Sequence, residues 1–310
     1  MVLTVTLNPS VDIGYNLEQL HLDTVNRVSH ISKTAGGKGI NVARVLKQLE
    51  IEVSATGLIG GSLGKFIKEQ LNGIGIGQQF VDITGETRNC IAILHDGKQT
   101  EILEGGPEIS ENEASQFLFH YESIMKETDI VTISGSLPKG LKDNFYEKMV
   151  EIASLYDTPV LLDASGKALE AALESSDKPF LIKPNQEELA ALIGKALVTE
   201  SEIIAALQTN PLFEGIPWVV ITLGSKGAVI KKDNKFFRAD IPKMQAVNPV
   251  GSGDSVIAGF AAGLSRQLGD EELIKMAMAT GVLNALEERT GYINPEKLDW
   301  CMKQIVVETI

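Results

Sequence analysis

Short apolar runs alternate with segments of helical spacing along most of this chain. "VLTVTL" (2–7) predicts a buried strand, "INVARVLKQL" (40–49) a helix, and "VSATGLIG" (53–60) a strand running into a turn. From about residue 110 the rhythm is regular. A helix over 110–126 precedes the strand "DIVTIS" (129–134). A helix over 142–155 precedes "PVLLDA" (159–164), and one over 167–174 precedes "PFLIKP" (179–184). A helix over 186–193 and another after it lead to "WVVITLG" (218–224), and the chain is expected to end in helices at about 253–268, 270–289 and 295–306. Apolar strands separated by amphipathic helices predict an α/β fold with a mostly parallel sheet covered on both faces. Two segments break the rhythm. Residues 11–34 and about 78–105 read as short strands joined by turns, with "DGK" (96–98) as a hairpin signal. They predict a small β-layer projecting from the body, usable as a lid, a dimer surface or a plain peripheral sheet. No linker, repeat or low-complexity stretch divides the chain, so residues 1–310 read as one domain.

Composition narrows the classes of function. A net charge of -13 excludes a broad polyanion-binding surface, so neither nucleic acid nor an anionic membrane is an expected partner. Any anionic ligand must be held by a few local cations. The two cysteines, Cys90 and Cys301, form no CxxC pair, and the four histidines show no ligand spacing. The N-terminus lacks a basic leader and no apolar run is long enough to span a bilayer. These features lead us to expect a soluble, cytoplasmic protein.

Ligands of open α/β sheets bind beyond the carboxyl ends of the strands. Asn8, Asp12, Gly135, Ser136, Asp163, Lys183, Asn185, Thr222 and Gly224 all fall at such ends. "NPVGSGDSVIAG" (248–259) places Gly251, Ser252 and Gly253 before Asp254 and an apolar helix. The unpaired amides and positive dipole end of that helix suit an anion, and Asp254 suits a base beside a transferring phosphoryl group. Taken alone, Ser252 or Asp254 also reads as a simple N-cap. "TAGGKGINVAR" (34–44) is a second glycine-rich turn into a helix, offering Gly37, Lys38 and Asn41 to a phosphate or a polyol. "KPNQEE" (183–188) spaces Asn185 and Glu188 three apart, which suits water-held Mg²⁺ and equally a capping box. "TLGSKGAV" (222–229) reads as strand, glycine turn and strand, and "GETRNC" (85–90) puts Arg88 in the β-layer, where it could clamp an anion. Neither GxxxxGK[ST] nor GxGxxG occurs, which removes the two common nucleotide-loop fingerprints.

In this order, "TLNPSVD" (6–12), "AGGKGIN" (35–41), "SGSLP" (134–138), "KPNQEE" (183–188), "TLGSKG" (222–227) and "NPVGSGDS" (248–255) resemble the ribokinase-like (PfkB) family of sugar kinases. Within it, "DTVNRV" (23–28) and "GETRNCIAIL" (85–94) look most like members acting on tagatose 6-phosphate, with those acting on fructose 1-phosphate or fructose 6-phosphate as nearest rivals. The resemblance implies a three-layer α/β/α body with a β-lid, ATP and Mg²⁺ as cofactors, and a homodimer paired through the lid. It implies Asp254 as base for the substrate's C1 hydroxyl, with the amides of Gly251, Ser252, Gly253 and Asp254 as an anion hole. Lys183, Thr222, Gly224, Ser225 and Gly227 would hold ATP, its adenine lying near Asn284, and Asn185 and Glu188 would organise Mg²⁺. Asp12, Gly37, Lys38 and Asn41 would bind the sugar hydroxyls. Arg88 and Asn89, with Ser136 and Arg27, would bind the substrate's phosphate. Ser252 departs from the family, many members of which carry alanine there.

Overall fold

The computed structural model describes all of residues 1–310. In chain order the strands are β1 (Val2–Thr6), β2 (Ser10–Asn16), β3 (Ile31–Gly36), β4 (Val53–Ile59), β5 (Gly77–Gln78), β6 (Val81–Asp82), β7 (Arg88–His95), β8 (Lys98–Leu103), β9 (Ile130–Ser134), β10 (Val160–Asp163), β11 (Leu181–Ile182), β12 (Trp218–Thr222), β13 (Ala228–Lys232), β14 (Lys235–Asp240) and β15 (Val306–Thr309). The helices are α1 (Lys38–Gln48), α2 (Gly61–Gly73), α3 (Glu111–Ile124), α4 (Phe145–Ser154), α5 (Gly166–Glu174), α6 (Gln186–Ile193), α7 (Glu200–Thr209), α8 (Ser252–Ser265), α9 (Asp270–Ala285) and α10 (Leu298–Gln304).

The main sheet runs β15-β14-β13-β12-β11-β10-β9-β1-β4-β5, with β6 also on β4. It is parallel from β12 through β5, and β13, β14 and β15 extend it antiparallel. Its central strands are buried along their whole length, which explains their unbroken apolar runs: both faces are covered. One hydrophobic cluster joins α1, α2, α8, α9 and α10 to one face, and a second joins α3 to α7 to the other. The result is the expected three-layer α/β/α body. Strand order reverses between β1 and β9, and the cleft described below opens at this switch point.

A separate four-stranded sheet, β3-β2-β7-β8, projects over the carboxyl edge of the main sheet. The β7–β8 turn uses Asp96 and Gly97, both at positive φ, as the "DGK" signal predicts. Two boundaries differ from the sequence expectation. Residues 77–82 belong to the edge of the main sheet, because β5 and β6 pair with β4 and not with the lid strands. The expected last helix ends at Gln304, and β15 follows it to close the sheet edge on β14. No helix is long and apolar enough to cross a membrane.

Candidate active site

The site gathers at the carboxyl ends of β1, β9, β10, β11 and β12, beneath the small sheet. The cleft there has a volume of about 1610 Å³ and is lined by Asp12, Gly37, Lys38, Asn41, Arg88, Ser136 and Asp163, among others.

Helix α8 begins just behind it, after Pro249 and Val250 of the cleft wall. Gly251 is the N-cap at φ 83, a left-handed conformation that glycine adopts freely, and a Cβ there would stand 2.5 Å from the Thr290 methyl. No side chain caps the helix. The Ser252 amide donates to the Pro249 carbonyl, while those of Gly253 and Asp254 have no backbone acceptor and remain free for an anion. Lys183 Nζ lies 3.1 Å from where a Gly253 Cβ would sit, so the buried lysine stands beside the start of the helix.

Asp254 is buried, and its Oδ2 accepts a 2.9 Å hydrogen bond from Asn41 Nδ2. Burial, aided by nearby Asp163, pushes its carboxyl up to about 6, against the Asn41 bond and the charges of Lys38 and Lys183. A carboxylate tuned to that range is ionised at neutral pH yet basic enough to take a proton. Asp163, at the end of β10, bridges two cations: its Oδ1 is 3.3 Å from Lys183 Nζ and its Oδ2 3.4 Å from Lys38 Nζ. Burial works against its charge, but Lys183 and Lys38 outweigh it and hold the carboxyl below the usual range. The bridge therefore locks both lysines at the mouth of α8.

The opposite wall is the small sheet. Asp12 on β2 accepts from Ser10 Oγ at 2.6 Å, and burial raises its carboxyl. The register pairs Ser10 with Arg88 and Asp12 with Cys90, so these four share the inner face. Arg88 donates from Nη1 to the Glu104 carbonyl (2.9 Å) and from Nη2 to the Asn8 carbonyl (3.0 Å), leaving Nε without a partner. Asn8 Oδ1 and Ser134 Oγ, which also border the cleft, are buried and unpaired as well. Such orphaned groups mark a polar seat meant for a ligand.

At the head of α6, Asn185 and Glu188 form a closed capping box: Asn185 Oδ1 accepts from the Glu188 amide and Glu188 Oε2 from the Asn185 amide, both at 2.8 Å. Glu188 Oε1 stays free. A β-bridge sets Asn185 beside Thr222, at the turn that carries Gly224, Ser225 and Gly227. Gly227 is obligatory, since a Cβ there would overlap the Ala239 carbonyl at 1.9 Å. No group of three His, Cys, Asp or Glu side chains could hold a metal ion by itself. One free carboxylate oxygen fits Mg²⁺ carried by a nucleotide and held through water.

Residues 5–297 match the family described as pfkB family carbohydrate kinase. The chain belongs to that family. It is 51% identical over 307 residues to a tagatose-6-phosphate kinase of Staphylococcus epidermidis, covering 99% of both chains. Among solved structures, phosphofructokinase-2 from Escherichia coli in complex with potassium superposes with a TM-score of 0.90 at 27% identity, over 97% of this chain and 98% of that one. The same enzyme in complex with fructose-6-phosphate gives 0.87 at 26% identity with the same coverage.

Three expected site residues of this kinase stand elsewhere. Asn89 lies on the outer face of β7, where its amide and side chain bind the Glu104 carboxylate, and Cys90 holds the inward place. Arg27 is exposed on the loop between β2 and β3 and does not line the cleft. Asn284 is fully buried, so it cannot meet an adenine. Its amide donates to the Val250 carbonyl and accepts from the Gly291 amide, pinning the loop that carries Gly251. Two residues were missed as site members. Asp163 was visible only as a polar strand end, and Arg44 lies within an apolar helical pattern that gives no sign of its place under the cleft.

Proposed function

We propose that this carbohydrate kinase transfers the γ-phosphoryl group of ATP to the C1 hydroxyl of D-tagatose 6-phosphate, giving D-tagatose 1,6-bisphosphate and ADP. The observation that carries the chemistry is the buried carboxylate of Asp254 beside the free amides of Gly253 and Asp254, under two lysines. In the transfer, Asp254 takes the C1 hydroxyl proton as that oxygen bonds to the γ-phosphorus. The bond from the γ-phosphorus to the β–γ bridging oxygen breaks, and its electrons leave with ADP. The free amides and Lys183 meet the charge on the transferring group. Thr222, Gly224, Ser225 and Gly227 form the nucleotide turn, and Asn185 and Glu188 would hold Mg²⁺ through water, where it would neutralise phosphate charge.

Asp12, Gly37, Lys38 and Asn41 face the sugar, and Arg88 with Ser136 faces its phosphate. The choice of tagatose 6-phosphate rests on the staphylococcal relative. The reading includes a homodimer closed through the small sheet, whose Ile31, Ile102 and Leu103 are exposed. It also includes a cytoplasmic setting, compatible with the unpaired Cys90 and Cys301. The test is ADP release with Mg-ATP, comparing kcat/KM for tagatose 6-phosphate, fructose 6-phosphate, fructose 1-phosphate and unphosphorylated ketohexoses. Tagatose 6-phosphate is expected to give the highest value. A preference for fructose 1-phosphate would move the protein to the sister activity, and no turnover with any of them would overturn the reading.

A further inference from the structure

Arg44 is a buried cation that the transfer chemistry does not use. It sits on α1 one turn beyond Asn41 and is 7% exposed. Its Nη1 donates to Asn41 Oδ1 at 3.0 Å, and its Nη2 donates to the Ala35 carbonyl. The guanidinium carbon lies 6.0 Å from the centre of the Tyr292 ring, whose other cationic neighbour is Arg289 at 5.7 Å. Asp12, on β2, is its counter-charge. Gln48, one turn further along α1, donates to the Arg44 and Gly291 carbonyls, which ties this end of α1 to the loop before Tyr292.

An amide side chain has one accepting end and one donating end, and a flip exchanges them. Arg44 presents only donors to Asn41, and Asp254 presents only acceptors when ionised. The flipped amide would set its oxygen against the carboxylate and its NH₂ against the guanidinium, so both contacts would turn repulsive. We infer that Arg44 is a positioning residue: by holding Asn41 Oδ1 it aims Asn41 Nδ2 at Asp254, and so keeps the base ionised and oriented toward the acceptor hydroxyl. This inference rests on Asp254 as the base in the proposed function.

The relay has a direction that can be read. The other charges facing Asp254 are Asp163 from β10, Lys38 from α1 and Lys183 from the strand end of β11. None of them changes if Arg44 is replaced. Removing Arg44 would therefore act on Asp254 through the Asn41 bond, raising its titration midpoint and moving the acid limb of the rate profile to higher pH.

The experiment is a carboxylate NMR titration of ¹³C-aspartate-labelled protein without substrates, on wild type, Arg44→Met, Asn41→Ala and the double variant, with Asp254→Asn identifying the resonance. The Asp254 midpoint is expected to rise by about one pH unit in Arg44→Met, and the double variant should match Asn41→Ala alone. A merely structural arginine would leave the midpoint in place while lowering the Tm. An unmoved midpoint, or shifts that add in the double variant, would overturn the relay. If the methionine variant does not fold, Arg44→Lys in the same cycle decides, since lysine keeps the charge but cannot hold Asn41 and the Ala35 carbonyl with one planar fork. The companion measurement is kcat of Asp254→Asn. Near wild-type turnover there would remove Asp254 as base while leaving the NMR result to stand or fall separately.

Discussion

Two helices point their N-termini at the same cleft edge, and they are finished in opposite ways. Helix α6 starts at Asn185 with a capping box, and Glu187 and Glu188 fill its first turn. Helix α8 starts at a left-handed glycine with no side-chain cap, and the one acid in its first turn, Asp254, turns its carboxylate to Asn41 instead of to the helix amides. The dipoles are alike, but the chemistry is inverted. The first start is closed and negative, and it suits a hydrated cation. The second is open and positive, and it suits an anion. A glycine in place of a capping side chain costs a helix only about a few tenths of a kcal/mol. Helix α8 tolerates this because its residues from Asp254 to Gly263 are all buried against α1 and α9, so tertiary packing holds it.

Removing the carboxylate from the open start should have the largest effect. Asp254→Asn is expected to lower kcat by about 10²- to 10⁴-fold, the range for a lost general base, while ATP affinity stays within roughly threefold. The wild-type pH profile tests the same point. The ionised carboxylate is the active form, so below about 6 the rate should fall tenfold per pH unit as Asp254 gains its proton. Asp163, held below the usual range by Lys183 and Lys38, stays ionised through that window and adds no second limb. A flat profile between pH 5 and 7, or an asparagine variant with wild-type kcat, would make α8 an anion seat without a base.

Filling the open start comes next. Gly253→Ala keeps the backbone and its amides, and its Cβ would stand 3.1 Å from Lys183 Nζ, which is buried on Asp163 and must give by a few tenths of an ångström. Folding should weaken by about 1 kcal/mol. Turnover should fall on the order of 10²-fold, because the methyl fills the space beside Lys183 at the helix start, where the phosphoryl group would pass. Thermal unfolding and steady-state kinetics on one preparation separate the two effects. A stable variant with unchanged kcat would put the transferring group elsewhere.

The contrast between the helix starts was half legible in the sequence. "NPVGSGDS" shows a glycine turn before a helix, and "KPNQEE" shows a capping box at its proper spacing. The alternation of buried strands and helices also yields the three layers, because a strand covered on both faces must be apolar throughout. The unread parts depend on long-range partners. Asp163 becomes a site residue only when Lys38, 125 positions away, reaches it. Arg44 stands in a helical pattern where a charge normally faces water, and only the packing of α1 against the Tyr292 loop buries it. Residues 306–309 are too short to announce a strand, and they become one by pairing with β14. Asn89 is a different case: the two-residue period of β7 already puts it opposite Arg88, and strand alternation alone would have excluded it.

The smallest expected effect is at the closed start, and it separates cap from metal. Glutamine at the third helical position still completes a capping box, because its side-chain oxygen can accept from the Asn185 amide. Glu188→Gln should therefore leave the Tm within about 1 °C of wild type, whereas Glu188→Ala keeps the Asn185 Oδ1 bond but loses the reciprocal one to the Asn185 amide, at a cost of about 1 kcal/mol. Both remove the free Oε1 charge. If that oxygen holds water around Mg²⁺, both should raise the Mg²⁺ concentration for half-maximal rate by roughly tenfold, in the range for lost outer-shell ligands. A rise in the alanine variant alone would trace the effect to the frayed helix. No rise in either would leave Asn185 and Glu188 as a cap and nothing more, and the cation would then depend on the nucleotide's own phosphates.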